Sequence, residues 1–332
     1  MKKTVKIDDV PNVRRLKMDV SVLIVNWNTR EILRNCLRSI YEQTRDLTFE
    51  VIVIDNASED GSPQMVKEEF KEAILIENST NRGFAAANNQ GMAIAKGRYA
   101  LLLNSDTVVL DNAIAKMVVF ADAHPEGAVI GCRLLNPDKT LQEGCFMFPS
   151  LLNLLLSATY MYKLFPQSRF FGRENMTWWN RDDEREVNVV TGCFMLVRRE
   201  AIEQVGVMDE QFFMYGEETD WCYRFKKAGW KCLFSPSGSI IHIHGASSKA
   251  RRHAMMLQCR ASILLFFKKH RGPLSYRLAC LVIALDAFLR VPYWFLKWIL
   301  SGKWRGEERS YMRTHMSAMY RSLLGWRALR IK

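Results

Sequence analysis

The 332-residue sequence predicts an α/β protein with a mostly parallel central sheet flanked by helices, followed by a C-terminal helical segment. Three observations carry this reading. Short apolar runs rich in β-branched residues alternate with helix-periodic stretches over the first part of the chain, the pattern of parallel strands joined by crossover helices. Apolar residues make up 48% of the composition, enough for a sizeable core. The charge is partitioned: residues 246–332 carry 18 Lys and Arg against Asp286, Glu307 and Glu308, a net of +15, whereas the first 245 carry 29 basic and 32 acidic side chains. Two parts with different electrostatic tasks are implied.

Asp19–Val25 (DVSVLIV) reads as a buried strand, after which Ile32, Leu33, Cys36, Leu37, Ile40 and Tyr41 recur at helical spacing. The alternation repeats with a strand over Glu50–Ile54, a helix opened by Ser62 with Pro63 at its first position, and a strand over Ala73–Ile76. A helix from Phe84 to Lys96 stops at Gly97, Tyr99–Leu103 forms the next strand, and a helix from Asp111 closes before Pro125. Past Ala128 the pattern loosens. Strands are expected over Ala128–Leu134 and Val187–Val197, around a helical or looped insert near Leu151–Phe165. Helices over Arg199–Val205 and Glu217–Ala228, stopped by Gly206 and Gly229, and strands over Trp230–Phe234 and Ser239–Ile243 complete this part.

The eight cysteines include no CxxC pair and no His at metal-ligand spacing from one, so a reduced, cytosolic domain is expected. Met1–Lys17 has charges but no apolar stretch before Val20, and no signal peptide is expected. No GxGxxG follows Val25, which argues against a dehydrogenase.

The ends of the first four strands are polar: Asn26-Trp27-Asn28, Asp55-Asn56-Ala57-Ser58, NSTNRG from Asn78 to Gly83, and Asn104-Ser105-Asp106. A doubly wound sheet opens its ligand crevice at these carboxyl ends. Asn, Asp and Ser also make turns and caps, but four such ends in register favour a site. Later in the chain an acidic cluster, Glu217, Glu218 and Asp220, opens a helix after the aromatic approach Phe212 to Tyr215. Complementing the helix dipole is the alternative role for such residues.

In combination, SVLIVNWN, VIVIDNASEDGS, NRGFAAANN, LLLNSD, TGCFMLVRR, FFMYGEETDWCYR and HIHGASS resemble family 2 glycosyltransferases of the A-type nucleotide-sugar fold, and are similar to the rhamnosyltransferase-like branch, over Val20 to about Lys249. The resemblance implies a donor site built from Val25, Trp27, Asn28, Asp55, Asn56, Arg82, Gly83, Asn88, Asn104, Ser105 and Asp106. Val25 and Trp27 offer the base an apolar face, with core packing the alternative for Trp27, and Asp55 accepts from the imide of uracil or thymine, favouring UDP- or dTDP-sugars. Arg82, Gly83 and the N–H groups opening the helix at Phe84 suit an anionic diphosphate. Asn104-Ser105-Asp106 occupies the Asp-x-Asp position, with Asn for the first Asp, so a divalent cation, Mg²⁺ or Mn²⁺, is implied at Asp106 with a second ligand from elsewhere. His242 is the first choice and His244 the second. Glu218 matches the family's base, with Glu217 and Asp220 orienting donor or acceptor groups.

The expected division is an N-terminal extension (1–18), a catalytic domain (19–249) with a donor-binding half (19–127) and an acceptor half (128–249), and a basic, apolar helical region (250–332). Leu278–Leu300 is long enough to span a bilayer but contains Asp286, Arg290, Pro292 and Lys297, the three charges within a 40° arc. With Trp294, Trp298, Trp304 and the run Ile263–Lys269, it suits an anionic membrane surface rather than a crossing; a packed helical subdomain or an oligomer contact is the alternative. No nucleic-acid motif appears. The expected activity is an inverting transfer of one sugar, rhamnose being the first to try, to a glycan or polyprenyl-linked glycan in cell-surface polysaccharide synthesis. No Gln-x-x-Arg-Trp marks a processive enzyme. The expected location is cytoplasmic, on the inner face of the membrane. A catalytically silent nucleotide-sugar binder or membrane scaffold is the alternative that Asn104 leaves open.

Overall fold

The computed structural model describes residues 18–243, 252–301 and 307–324. Strand β1 (Val20–Asn26), helix α1 (Arg30–Gln43), β2 (Phe49–Asp55), α2 (Ser62–Glu69), β3 (Ile74–Glu77), α3 (Phe84–Ile94) and β4 (Tyr99–Leu103) alternate as expected. Then come β5 (Thr107–Val109), α4 (Ala113–Ala123), β6 (Gly127–Leu135), β7 (Leu141–Gln142), β8 (Cys145–Phe146), α5 (Leu151–Thr159) and α6 (Met161–Leu164). Strands β9 (Arg185–Val187), β10 (Val189–Val190) and β11 (Phe194–Arg198) lead to α7 (Arg199–Val205), α8 (Glu217–Lys227) and β12 (Lys231–His242). Helices α9 (Arg252–His270), α10 (Gly272–Ser301) and α11 (Glu307–Leu323) follow.

The main sheet runs β3-β2-β1-β4-β11-β6-β12-β5. The first four strands are parallel, and β11 enters antiparallel to both β4 and β6. β12 is parallel to β6 and antiparallel to β5. Alternate residues along β1 divide the interior. Val20, Val22 and Ile24 pack toward α1, α2 and α4, while Leu23, with Ile52 and Leu102, packs toward α3 and α8. A strand buried on both faces needs the continuous apolar run that the sequence shows.

Two expectations change in detail. The single strand over Val187–Val197 is three, because β10 leaves the main sheet to pair with β8 before Phe194 joins β4. The two strands at Trp230–Phe234 and Ser239–Ile243 are one, β12, carried through a register shift between Phe234 and Ser239, where Pro236 interrupts the ladder.

The helical region is joined to the rest through α9. Phe266 belongs to the core beneath α8, while Leu264 and Phe267 form a second cluster with Leu154 of α5 and Ala279, Cys280 and Ile283 of α10. Much of the Ile263–Lys269 run expected at headgroup depth is therefore interior. The charged arc of α10 also turns inward at two of its members: Asp286 pairs with Arg260 of α9 at 2.9 Å and with Arg290 at 2.6 Å. Beside the exposed Arg277 and Lys297, α10 leaves many apolar side chains exposed, including Leu281, Leu285, Phe288, Leu289 and Leu296. Gly272–Leu300 meets the length and apolarity needed to cross a bilayer, with 28% of its most apolar window buried. Length and composition do not distinguish crossing from lying on a surface.

Candidate active site

The parallel strands place their polar ends side by side. Register pairs Asn26 with Asp55, and the Asn26 amide donates to Asp55 Oδ1 at 2.9 Å while the Ser58 N–H donates to Asp55 Oδ2 at 2.8 Å. Asp55 is buried and aimed by these bonds, so a base can address only its remaining lone pairs. Val25 and Trp27 are partly exposed beside it. Asn28 is exposed, at φ 53, and its Oδ1 accepts the Glu59 N–H, so it builds the turn that brackets Ser58.

Asn56, expected to touch the donor, holds the phosphate-loop candidate instead. Its Nδ2 donates to the Gly83 carbonyl at 3.2 Å, and its Oδ1 accepts from Asn78 Nδ2 and the Arg82 N–H. The loop is pinned from the other side as well: the Phe84 N–H donates to the Phe213 carbonyl at 2.8 Å. That engages one of the helix-opening N–H groups expected to meet an anion. The Gly83 N–H is also taken, by Asn81 Oδ1. Gly83 sits at φ +84, and a Cβ there would lie 2.4 Å from the Phe213 oxygen, so only glycine fits. Arg82 is exposed, whereas Asn88 is buried with Oδ1 unpartnered.

The metal candidates meet across the sheet. β5 pairs antiparallel with β12, setting Thr107 opposite His242 and the preceding residue, Asp106, beside the imidazole. His242 Nε2 lies 3.2 Å from Asp106 Oδ1, and Asn104 Nδ2 lies 3.5 Å from the same nitrogen. His242 Nδ1 is 2.6 Å from Gln142 Oε1. An amide oxygen can only accept, so Nδ1 carries a proton and Nε2 is the ring nitrogen turned toward Asp106. One carboxylate and one imidazole fit a cation that completes its shell with diphosphate oxygens and water. Among the described residues no group of three His, Cys, Asp or Glu gathers as a metal site. Ser105 is buried, its hydroxyl 3.2 Å from that of Thr29. His244 lies outside the described residues. No local signal in the sequence marks Gln142, which reaches His242 from the two-residue strand β7.

The acidic cluster stands at the start of α8. Tyr215 (φ 64) and Gly216 (φ 84) are successive left-handed residues that turn the chain into the helix, a strained conformation for the tyrosine. Glu217 is buried, and Glu218 is partly accessible with its Oε2 sealed; neither Oε2 has a hydrogen-bond partner. Burial pushes the Glu217 carboxyl well above the usual range, with the Glu218 charge adding to it. Burial also raises Glu218, against the pull of the Glu218 and Gly216 N–H groups. Asp220 departs from expectation. It is fully buried and binds Arg224 at 2.8 Å, Lys269 at 2.7 Å and His270 at 2.6 Å, so it anchors α9 to α8 instead of facing a ligand.

The mixed sheet, with its polar crevice at the ends of the parallel strands, is the A-type fold of glycosyltransferases. Solved structures share it: a mannosyltransferase from Pyrobaculum calidifontis in complex with GDP-Man and Mn²⁺ superposes with TM-score 0.55 at 16% identity, covering 94% of this chain and 89% of that one. GalNAc-T7 with UDP, GalNAc and Mn²⁺ gives 0.51 at 17% identity, covering 68% and 43%. The profile described as Glycosyl transferase family 2 matches residues 21–206, and the chain belongs to that family, in its rhamnosyltransferase-like branch. It is 27% identical over 266 residues to the N-acetylglucosaminyl-diphospho-decaprenol L-rhamnosyltransferase of Mycobacterium tuberculosis, covering 76% of this chain and 85% of the relative. It is 26% identical over 233 residues to the O-antigen biosynthesis protein RfbC of Myxococcus xanthus, covering 70% of this chain and 18% of that one.

Proposed function

We propose that this glycosyltransferase is an inverting, single-addition enzyme that moves a sugar, rhamnose being the first to try, from a dTDP- or UDP-linked donor to a lipid-linked glycan in cell-surface polysaccharide synthesis. The observation that carries the reading is the Glu217–Glu218 pair, held in a strained turn with unpartnered oxygens, on a loop hydrogen-bonded to the donor-side Gly83–Phe84 segment.

In this reading Trp27 and Val25 cover one face of the base and Asp55, oriented by Asn26 and Ser58, accepts its imide proton. Asn56 and the Phe213 carbonyl hold the Gly83 turn so that Arg82 faces the donor diphosphate. Asp106 and His242 would hold Mg²⁺ or Mn²⁺, which supplies Lewis-acid neutralisation of the departing diphosphate. Glu218 takes the acceptor hydroxyl proton as the new glycosidic bond forms on the face opposite the leaving group. A raised pKa, caused by burial, suits it to receive a proton near neutrality.

The names of the relatives support a diphospho-lipid acceptor, and the exposed apolar face of α10 within a region of net charge +15 supports a peripheral position on an anionic inner membrane face. The test is incubation with dTDP-rhamnose and a panel of nucleotide sugars, Mn²⁺ and a GlcNAc-diphospho-lipid. Product formation that stops with EDTA supports the proposal; nucleotide binding without transfer to any acceptor favours the silent binder.

A further inference from the structure

A charged node joins the three C-terminal helices, and the reaction above does not use it. Arg260 of α9, Asp286 and Arg290 of α10 and His315 of α11 meet between the three helices. Asp286 binds both guanidinium groups, and Arg260 Nη2 lies 3.2 Å from His315 Nδ1. Burial, with the nearby Arg260, Arg290 and His253, holds His315 at a pKa of about 3, so it is neutral. Two guanidinium charges thus face one carboxylate. Arg260 is 7% exposed with Nη1 unpartnered, and Arg290 Nε is also buried and unpartnered.

A clasp built only to join helices leaves these buried N–H groups without acceptors, at a cost that buried cations rarely sustain. A phosphate or diphosphate matches them, since guanidinium N–H groups pair with its oxygens in a planar fork. The location agrees. Ser262, two residues along α9 from Arg260, donates its hydroxyl to the Met214 carbonyl at 3.2 Å, in the loop that leads into Glu217 and Glu218. On the outer side, the Arg290 guanidinium stacks 4.6 Å from the Tyr160 ring, and Leu285, Phe288 and Leu289 of the same helix are exposed.

We propose that Arg260 and Arg290 form the subsite for the diphosphate of the acceptor, with its sugar at Glu218 and its hydrocarbon along the exposed face of α10. The assignment rests on the lipid-linked acceptor reading.

The test uses the full chain with Arg290→Gln, whose side chain is the more exposed, and Arg260→Lys, which keeps the pair with Asp286. Thermal melting first establishes that each variant is folded. Transfer is then compared on a GlcNAc-diphospho-lipid and on octyl β-GlcNAc, which lacks the diphosphate. The ratio of kcat/KM on the two acceptors falls at least tenfold in Arg290→Gln, through KM; an unchanged ratio overturns the subsite. In a second arm, farnesyl diphosphate is titrated in the presence of saturating nucleotide and Mn²⁺, and its affinity falls at least tenfold in both variants. Unchanged affinity overturns the proposal. So does an equal loss of binding to phosphatidylglycerol vesicles, which assigns the arginines to headgroups. If the wild-type chain transfers no sugar but binds farnesyl diphosphate through Arg290, the transferase reading fails and the subsite stands.

Discussion

His242 Nε2 lies 3.2 Å from Asp106 Oδ1, across the antiparallel pairing of β12 with β5, and its other ring nitrogen is fixed by Gln142. The family position with an Asn for its first Asp thus has a neighbour able to supply the missing ligand. Asp106→Ala and His242→Ala are each expected to abolish Mn²⁺ binding in the presence of nucleotide, read by calorimetry. Gln142→Ala, which releases the tautomer without removing a ligand, should weaken it roughly 10- to 100-fold.

Gly83 is the point of close approach between the loop that opens α3 and the loop that leads into α8. Gly83→Ala must place a Cβ 2.4 Å from the Phe213 oxygen at a φ of +84. The left-handed conformation alone costs roughly 1–3 kcal/mol, and the clash adds displacement of the Phe84–Phe213 hydrogen bond. The variant should melt lower than wild type and bind nucleotide more weakly.

Glu217 and Glu218 titrate as a pair, so pH profiles report the pair. Both carboxyls are raised in the fold, by burial first. The acid limb of kcat/KM should therefore lie above the usual glutamate range, and Glu217→Gln, which leaves the burial of Glu218 in place, should keep it there. The sign for stability follows: as pH rises past the unfolded value, the unfolded chain releases protons that the fold retains, and stability falls until the folded values are reached. Glu217→Gln should lose less stability than wild type as pH rises above the unfolded glutamate value, measured by thermal melting.

Asp220 ties α9 to α8. Asp220→Asn removes the buried partner of Arg224, Lys269 and His270. Breaking a buried pair costs about 3–5 kcal/mol; the low end is expected because the Lys269 and Arg224 side chains are 29% and 20% exposed. Denaturant unfolding checks it.

The alternation of strands and helices was legible because the central strands β1 and β4 are buried on both faces and so must be largely apolar, as VSVLIV and YALLL are. The polar strand ends were legible because Asn26, Asp55 and Asn104 each close or follow an apolar run, in register along the sheet. What each does was less so. Asn56 and Asp220 belong to matched motifs, yet their partners are Gly83 and Asn78 in one case and Lys269 and His270 in the other, set by tertiary contact. The inward turn of Asp286 and Arg290 was illegible for the same reason: helical spacing gives the arc but not the helix it faces.

The central claim, transfer with Glu218 as base, is tested most directly by Glu218→Gln. The wild-type product should show an anomeric configuration inverted from the donor by NMR, while Glu218→Gln should lose at least about 10²-fold in kcat and keep its nucleotide affinity. Full activity in the variant, or a retained configuration in the wild-type product, would contradict the account.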